Sequence, residues 1–367
     1  MIRLTTAGES HGPRLIAILE GLPAGLPLSA AAIRADLARR QIPLGAGGRM
    51  SIETDVATIE SGVMAGVTTG APVALSIENR DHSAWAGKSV PALSIPRPGH
   101  ADLAAAVKYG YGDCRPALER ASARETAART AAGACCRALL AEFGIAVSSR
   151  VLEIGGVAGD ASSPAVAEAI ARARREGETL GGVVEVRATG VPPGLGSHVS
   201  ASRRLDAALA AAVVSVQSVK GVEFGDGFAL AAMPGTKAQD PIVAGPDGLL
   251  SRPSCRSGGI EGGISNGSPI VLRAALKPIP TTLSPQDSVD LSAGVPAKTR
   301  YERSDTCAVP RAAVVLEAAV ALVLADALSE KLGGDSLGEM KRRFAALPRL
   351  EARNPAFSGA PAVFWPE

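Results

Sequence analysis

Two of the four histidines in the chain stand in glycine-flanked turns. His11 sits in Gly8-Glu9-Ser10-His11-Gly12-Pro13, and His100 in Arg97-Pro98-Gly99-His100-Ala101-Asp102. Flanking glycines let the backbone bend so that polar side chains enter a site. An imidazole placed there can hold or move a proton near neutral pH. His82 and His198 carry less signal. A third chemical stretch runs from Glu119 to Arg137 and contains Arg120, Ser122, Arg124 and Thr126. Its alanine-rich composition predicts one helix starting near Pro116. On that helix Arg120 and Arg124 stack on one face, one turn apart. A helix start with unpaired N–H groups, a positive dipole end and two guanidinium groups suits a multiply charged anion, a phosphate above all. The competing reading is a solvated charged face on which Glu119 and Glu125 pair the arginines.

Other stretches add cations and mobile backbone. Arg34, Arg39 and Arg40 close a helix that Ser29 caps. A glycine loop follows, Gln41-Ile42-Pro43-Leu44-Gly45-Ala46-Gly47-Gly48-Arg49, able to close over an anion. Ser257 to Gly267 is dense in glycine and brings backbone N–H groups close to a planar or phosphorylated ligand. Lys277-Pro278-Ile279-Pro280-Thr281-Thr282 offers a lysine and two hydroxyls as a phosphate grip, and Arg303-Ser304-Asp305-Thr306 precedes a long apolar run. The dinucleotide fingerprint, the P-loop and the HExxH zinc motif do not occur.

The elements that must position these groups are legible from periodicity. Strands are expected over Ile2–Thr6, Leu15–Leu22, Val151–Gly156, Gly182–Gly190 and Pro269–Leu276, with two more between Met50 and Ile77. Glu78–His82 leaves that sheet as a polar loop, and Pro91–Pro98 is extended. Helices are expected from Ser29 to Arg40, Ser163 to Glu176 and about Ser202 to Val219. Gly235–Pro253 reads as a loop or flap. Ala312–Leu328 is apolar but contains Glu317 and Asp326, so a buried helix fits better than a membrane span. Strands interrupted by glycine throughout show no clean boundary. One domain over residues 1–367 is expected, with a core to about 335 and a peripheral tail at 336–367.

The chain has 367 residues, 46% apolar and 20% charged, with 38 basic and 36 acidic side chains for a net +2. That balance and an aromatic content of 3% argue against a nucleic-acid partner. Five scattered cysteines without a CxxC pair point to reduced thiols in the cytoplasm rather than a disulfide frame or structural zinc. No signal peptide is evident.

In order along the chain, Gly8–Gly12, Arg97–Asp102, Arg120-Ala121-Ser122-Ala123-Arg124-Glu125-Thr126, Ser257–Gly267, Lys277-Pro278 and Arg303-Ser304-Asp305 resemble the chorismate synthase family from Gly8 to about Lys331. The resemblance implies an α/β fold of the α+β type, a β-α-β sandwich with helices packed between antiparallel sheets, assembled as a homotetramer. It implies a lyase of the shikimate pathway in aromatic amino acid biosynthesis. Such an enzyme converts 5-enolpyruvylshikimate 3-phosphate to chorismate by anti-1,4-elimination of phosphate, using reduced FMN without net redox change. By that resemblance His11 protonates the leaving phosphate, His100 stands by the reduced flavin, Asp305 handles a proton, and Ser10 and Ser122 support the relay. Flavin would meet Arg120, Ala121, Ser122, Gln217, Ser218, Gly262, Lys277, Pro278, Ile279, Pro280, Thr281 and Arg303. Substrate or NADP would meet Arg39, Arg40, Ala46, Arg49 and Arg124. NADPH or an external flavin reductase would supply the reduced flavin. The chain departs from many relatives at Ser304 and at Ala46, and from some at Gln217-Ser218. Two other readings stand beside this one: an NADPH-dependent flavin oxidoreductase acting on an anionic substrate, and an anion- or nucleic-acid-binding module.

Overall fold

The computed structural model describes residues 1–41, 44–46, 54–160, 162–302, 304–353, 357 and 361. Two antiparallel sheets form its outer layers. The first has the order β1 (Arg3–Ala7), β2 (Arg14–Glu20), β4 (Val73–Glu78), β3 (Ala57–Ile59). Strict alternation along β2 explains its placement: Leu15, Ala17 and Leu19 are buried while Arg14, Ile16, Ile18 and Glu20 face outward. The second sheet has the order β8 (Val219–Phe224), β9 (Ile270–Leu276), β7 (Gly182–Thr189), β5 (Ala146–Ile154), β6 (Val157–Ala158). Val184, Val186 and Ala188 on β7, and Ile270, Leu272, Ala274 and Leu276 on β9, turn inward.

Helices fill the space between the sheets, as expected for an α+β sandwich. Helix α1 (Ala30–Arg40) begins where the Ser29 hydroxyl accepts a bond from the Ala32 amide. Helices α2 (Asp102–Tyr109) and α3 (Arg115–Arg120) lie outside the main core. Helix α4 (Thr126–Ala141) packs on β2 and β4; α5 (Pro164–Arg175) touches the edge of the second sheet. Helix α6 (Leu205–Val214) is shorter than the expected Ser202–Val219. Helix α7 (Val309–Leu332) packs on β5 and β7 and against α4. The two central helices approach closely because Gly133 faces Ala318: a Cβ at Gly133 would lie 2.3 Å from the Ala318 Cβ.

The long apolar run is buried, as its charges suggested. Glu317, fully buried in α7, accepts bonds from Arg39 (2.6 and 2.7 Å), Arg137 (2.6 Å) and Ser149 (2.7 Å). Helix α8 (Leu337–Ala345) corrects part of the expected peripheral tail. Leu337 and Met340 join the main core, because this helix carries an apolar stripe among its charges.

Candidate active site

The helix expected to run unbroken from near Pro116 to Arg137 is in fact interrupted. Chain direction changes at Ser122 (φ −64°, ψ 141°), whose hydroxyl accepts from the Arg124 amide at 3.3 Å. A serine that bonds its own backbone two residues on favours a cap over a helix interior. Consequently Arg120 and Arg124 do not stack. Arg120 donates to the Thr6 carbonyl and hydroxyl, both at 2.9 Å, at a partly exposed edge. Arg124 is buried (7% exposed) on the other side of the break.

The His11 turn joins β1 to β2. Only a glycine fits at position 8, where φ is +106° and a Cβ would lie 2.4 Å from the Arg14 carbonyl oxygen. Asn79, at the end of β4, ties the turn by donating to the carbonyls of Glu9 (3.1 Å) and Gly12 (2.8 Å). Glu119, in the last turn of α3, grips His11 twice, at the ring Nδ1 and at the backbone N–H, both at 2.7 Å. Trp85 lies against the ring with centroids 4.2 Å apart, and Asp81 Oδ2 is 3.9 Å from Nε2. Ser10 is buried, and its amide donates to the Glu119 carbonyl at 3.1 Å.

Asn79 also connects this turn to the cations. Its Oδ1 accepts from Arg124 Nε at 2.7 Å. Arg124 and Arg40 share one buried carboxylate, Asp55: Arg40 Nη1 reaches Oδ2 at 3.0 Å and Arg124 Nη1 reaches Oδ1 at 2.5 Å. Arg40 also donates to Thr126 Oγ1 and the Ala123 carbonyl, each at 3.1 Å. Burial pulls the Arg40 guanidinium down to about 10, against the attraction of Asp55, with Arg124 and Arg311 adding repulsion. Asp305 and Arg311 act on the same charge and pair with each other at 2.5 Å. The Asp305 segment is strapped to the glycine loop: the amides of Thr306 and Cys307 donate to the Gly45 carbonyl at 3.0 and 3.2 Å. Arg174 donates to the Ala46 carbonyl at 2.9 Å.

His100 belongs to a second cluster. Its Nδ1 donates to the fully buried Asp102 at 2.5 Å, and Arg97 Nε donates to the same carboxylate at 2.8 Å. Burial raises the Asp102 pKa, but the bonds from His100 and Arg97 outweigh it and hold it well below the usual carboxylate range. Arg97 also reaches Thr281 Oγ1 at 2.9 Å, and Lys277 Nζ donates to the Gly99 carbonyl at 2.6 Å. Thus the Lys277–Thr281 segment lies on the His100 turn; within it the Ile279 and Pro280 carbonyls accept from Thr179 and Gln286, and Pro278 packs by Gly181. Helix α3 bridges the two clusters. His11 is gripped at its last turn, while Leu93, on the segment leading to Arg97, accepts from the Cys114 amide at 3.0 Å at its start. Six helical residues span about 9 Å.

A chain of contacts joins the remaining expected cofactor residues. Gln217 Nε2 donates at 3.3 Å to the buried Glu125, which also accepts from Thr6 Oγ1 at 2.6 Å and from Arg129. The Ser218 carbonyl accepts from the Lys277 amide at 2.9 Å. Ala121 ends α3 beside Ser122. Gly262 lies elsewhere. Its neighbour Gly263 accepts from Leu205 at the start of α6, whereas Gln217 follows that helix's end, about 15 Å along the axis. Arg39 also points away, to Glu317 and Asp36. Arg49 and Arg303 lie outside the described residues.

Several partners were not singled out from the sequence as site residues. Asp55, Asn79, Asp81, Trp85 and Glu119 gave no local signal, since each meets its partner across a long separation. Glu119 was weighed only as a partner for arginine, and it binds His11 instead. Arg97 and Asp102 stood in a quoted motif without a role of their own.

Comparison with known proteins identifies the family and supports the fold. The family described as chorismate synthase matches residues 2–329. A chorismate synthase of Caldanaerobacter subterraneus subsp. tengcongensis is 53% identical over 343 residues, covering 94% of this chain and 97% of its own. One from Geobacter sulfurreducens is 51% identical over 383 residues, covering 94% and 98%. A crystal structure of chorismate synthase superposes with a TM-score of 0.76 at 42% identity, covering 94% of this chain and 96% of that one. With the His11, Arg40–Asp55–Arg124 and His100 clusters set in an α+β sandwich of the same form, the chain belongs to the chorismate synthase family.

Proposed function

We propose that this chorismate synthase eliminates phosphate from 5-enolpyruvylshikimate 3-phosphate at the joined His11 and Arg40–Arg124 clusters. The observation that carries the reading is the pair of buried guanidinium groups sharing the single carboxylate of Asp55, one residue removed from the His11 turn. Two cations against one anion leave positive charge for a polyanionic substrate. Such charge in a buried site stabilises the leaving phosphate more strongly than it would in water. His11, with Nδ1 bonded to Glu119, gives the leaving oxygen its proton from Nε2. Asp305, paired to Arg311, serves as a proton acceptor at the edge of the cation cluster, with Ser10 and Ser122 supporting the relay.

The residues present suit reduced FMN. Gln217 keeps its Oε1 buried with no hydrogen-bond partner among the described residues. Burial, with Lys220 nearby, lowers the pKa of Lys277, whose ammonium sits on the His100 turn. Arg120, Ala121, Ser122, Gln217, Ser218 and Lys277 to Thr281 would hold the flavin, with His100 oriented by Asp102 at its side. When bound, reduced FMN supplies an electron-rich ring that assists C–O cleavage and a nitrogen that takes the substrate proton, without net redox change. The family resemblance further supports a cytoplasmic homotetramer whose reduced flavin comes from an external reductase or from NADPH. The relatives' names do not favour the NADPH-dependent oxidoreductase reading.

Anaerobic phosphate release from the substrate with reduced FMN tests the reaction. The variant His11→Ala is expected to lose roughly 10²–10⁴ in kcat. A near-normal rate would remove His11 from the mechanism.

A further inference from the structure

We propose that Glu119 is the positioning residue for His11, fixing which ring nitrogen faces the substrate; this rests on the reading of His11 as the proton donor. Glu119 holds a single residue with both carboxylate oxygens, Oε1 on the ring Nδ1 and Oε2 on the backbone N–H, each at 2.7 Å. A carboxylate only accepts, so Nδ1 must carry a hydrogen. Because Oε2 is committed to the backbone, the carboxylate cannot rotate away from the ring. Nε2, 3.9 Å from Asp81 Oδ2, is then the nitrogen that hands over a proton, and the ring that does so is the imidazolium, with a proton on each nitrogen.

The surroundings restrain the same orientation. Trp85 covers the ring at 4.2 Å between centroids. The His11 carbonyl accepts from His82 Nδ1 at 2.9 Å, so the turn is tied from the other side. The Glu119 carbonyl accepts from the Ser10 amide at 3.1 Å, which ties α3 to the histidine turn through the backbone as well. Burial works against a charge on Glu119, but the ring and backbone bonds of His11 outweigh it and hold its pKa below the ordinary value. It therefore stays an acceptor under working conditions.

The variant Glu119→Gln separates this role from simple packing. Its amide oxygen is required by the His11 backbone N–H, which turns the NH2 group toward Nδ1. Nδ1 must then accept, which holds the ring as the neutral Nε2–H form, a far weaker acid than the imidazolium. The expected result is a fall of about 10²–10³ in kcat with KM changed less than about threefold. The independent readout is the 15N spectrum of histidine-labelled protein, the His11 signals identified by their loss in His11→Asn. In the native protein His11 Nδ1 is expected to carry a proton, and in Glu119→Gln it is expected to lose it. An unprotonated Nδ1 in the native protein overturns the proposal, and that measurement holds even if the variant does not fold. A folded Glu119→Gln with native kcat overturns it too, provided His11→Ala is impaired; if both variants keep native rates, the role of His11 itself is what fails.

Discussion

Arg40 gives the sharpest test of how the pocket is built. Its guanidinium is 6% exposed, and burial pulls its pKa from the ordinary arginine range down to about 10. A displacement of that size corresponds to about 3 kcal/mol by which the folded protein disfavours this charge. The sign follows from the direction. A cation with a depressed folded-state pKa is a full penalty at every pH below about 10, relieved only above it. Replacing Arg40 with Met keeps most of the alkyl stem and removes the charge. Asp55 keeps Arg124 on Oδ1 but loses the Arg40 bond to its buried Oδ2, while Thr126 Oγ1 still donates to the Ala123 carbonyl at 2.6 Å. With the relieved charge set against the lost bond to Asp55 Oδ2, Arg40→Met is expected to unfold within a few degrees of the native temperature. Substrate should bind about 100-fold more weakly, since one or two charge-assisted hydrogen bonds to the anion are lost. Thermal unfolding without ligand, paired with calorimetric titration of 5-enolpyruvylshikimate 3-phosphate, reads both quantities. A midpoint lowered by more than about 5 °C with substrate affinity intact would show that Arg40 is a structural cation and not a strained binding group.

Two further outcomes follow from particular contacts. Gly133→Val pushes a side chain into Ala318, whose Cβ and Cα lie 2.3 and 2.6 Å from the first added carbon, so about 3 kcal/mol of stability should be lost in urea unfolding. An unchanged midpoint would mean that α4 and α7 can separate freely. Asp102 is held below the ordinary carboxylate range, so its charge stabilises the fold above about pH 4, and this contribution is lost as the pH falls. The stability gap between the native protein and Asp102→Asn should therefore be widest above about pH 5 and shrink steadily as the pH falls below about 4; parallel pH curves would contradict it.

Much of the architecture was legible along the chain because it depends on local preferences. The apolar run Leu15–Leu22 marked a strand, the Ser29 cap opened α1, and Glu317 and Asp326 within the long apolar run marked a buried helix rather than a membrane span. The functional stretches were also recognisable, since glycine-bracketed histidines and the order of motifs are sequence properties. Partner choice was not. Arg39 and Arg40 are neighbours in the chain, yet successive helical residues point about 100° apart. One meets Glu317 from a distant helix and the other meets Asp55. Ser122 broke the expected helix, burying Arg124 and leaving Arg120 at the edge. Glu119 found His11, 108 positions away, instead of an arginine. A local pattern can say that a charge must be paired, but only the closure of the two sheets around their helices decides which opposite charge arrives.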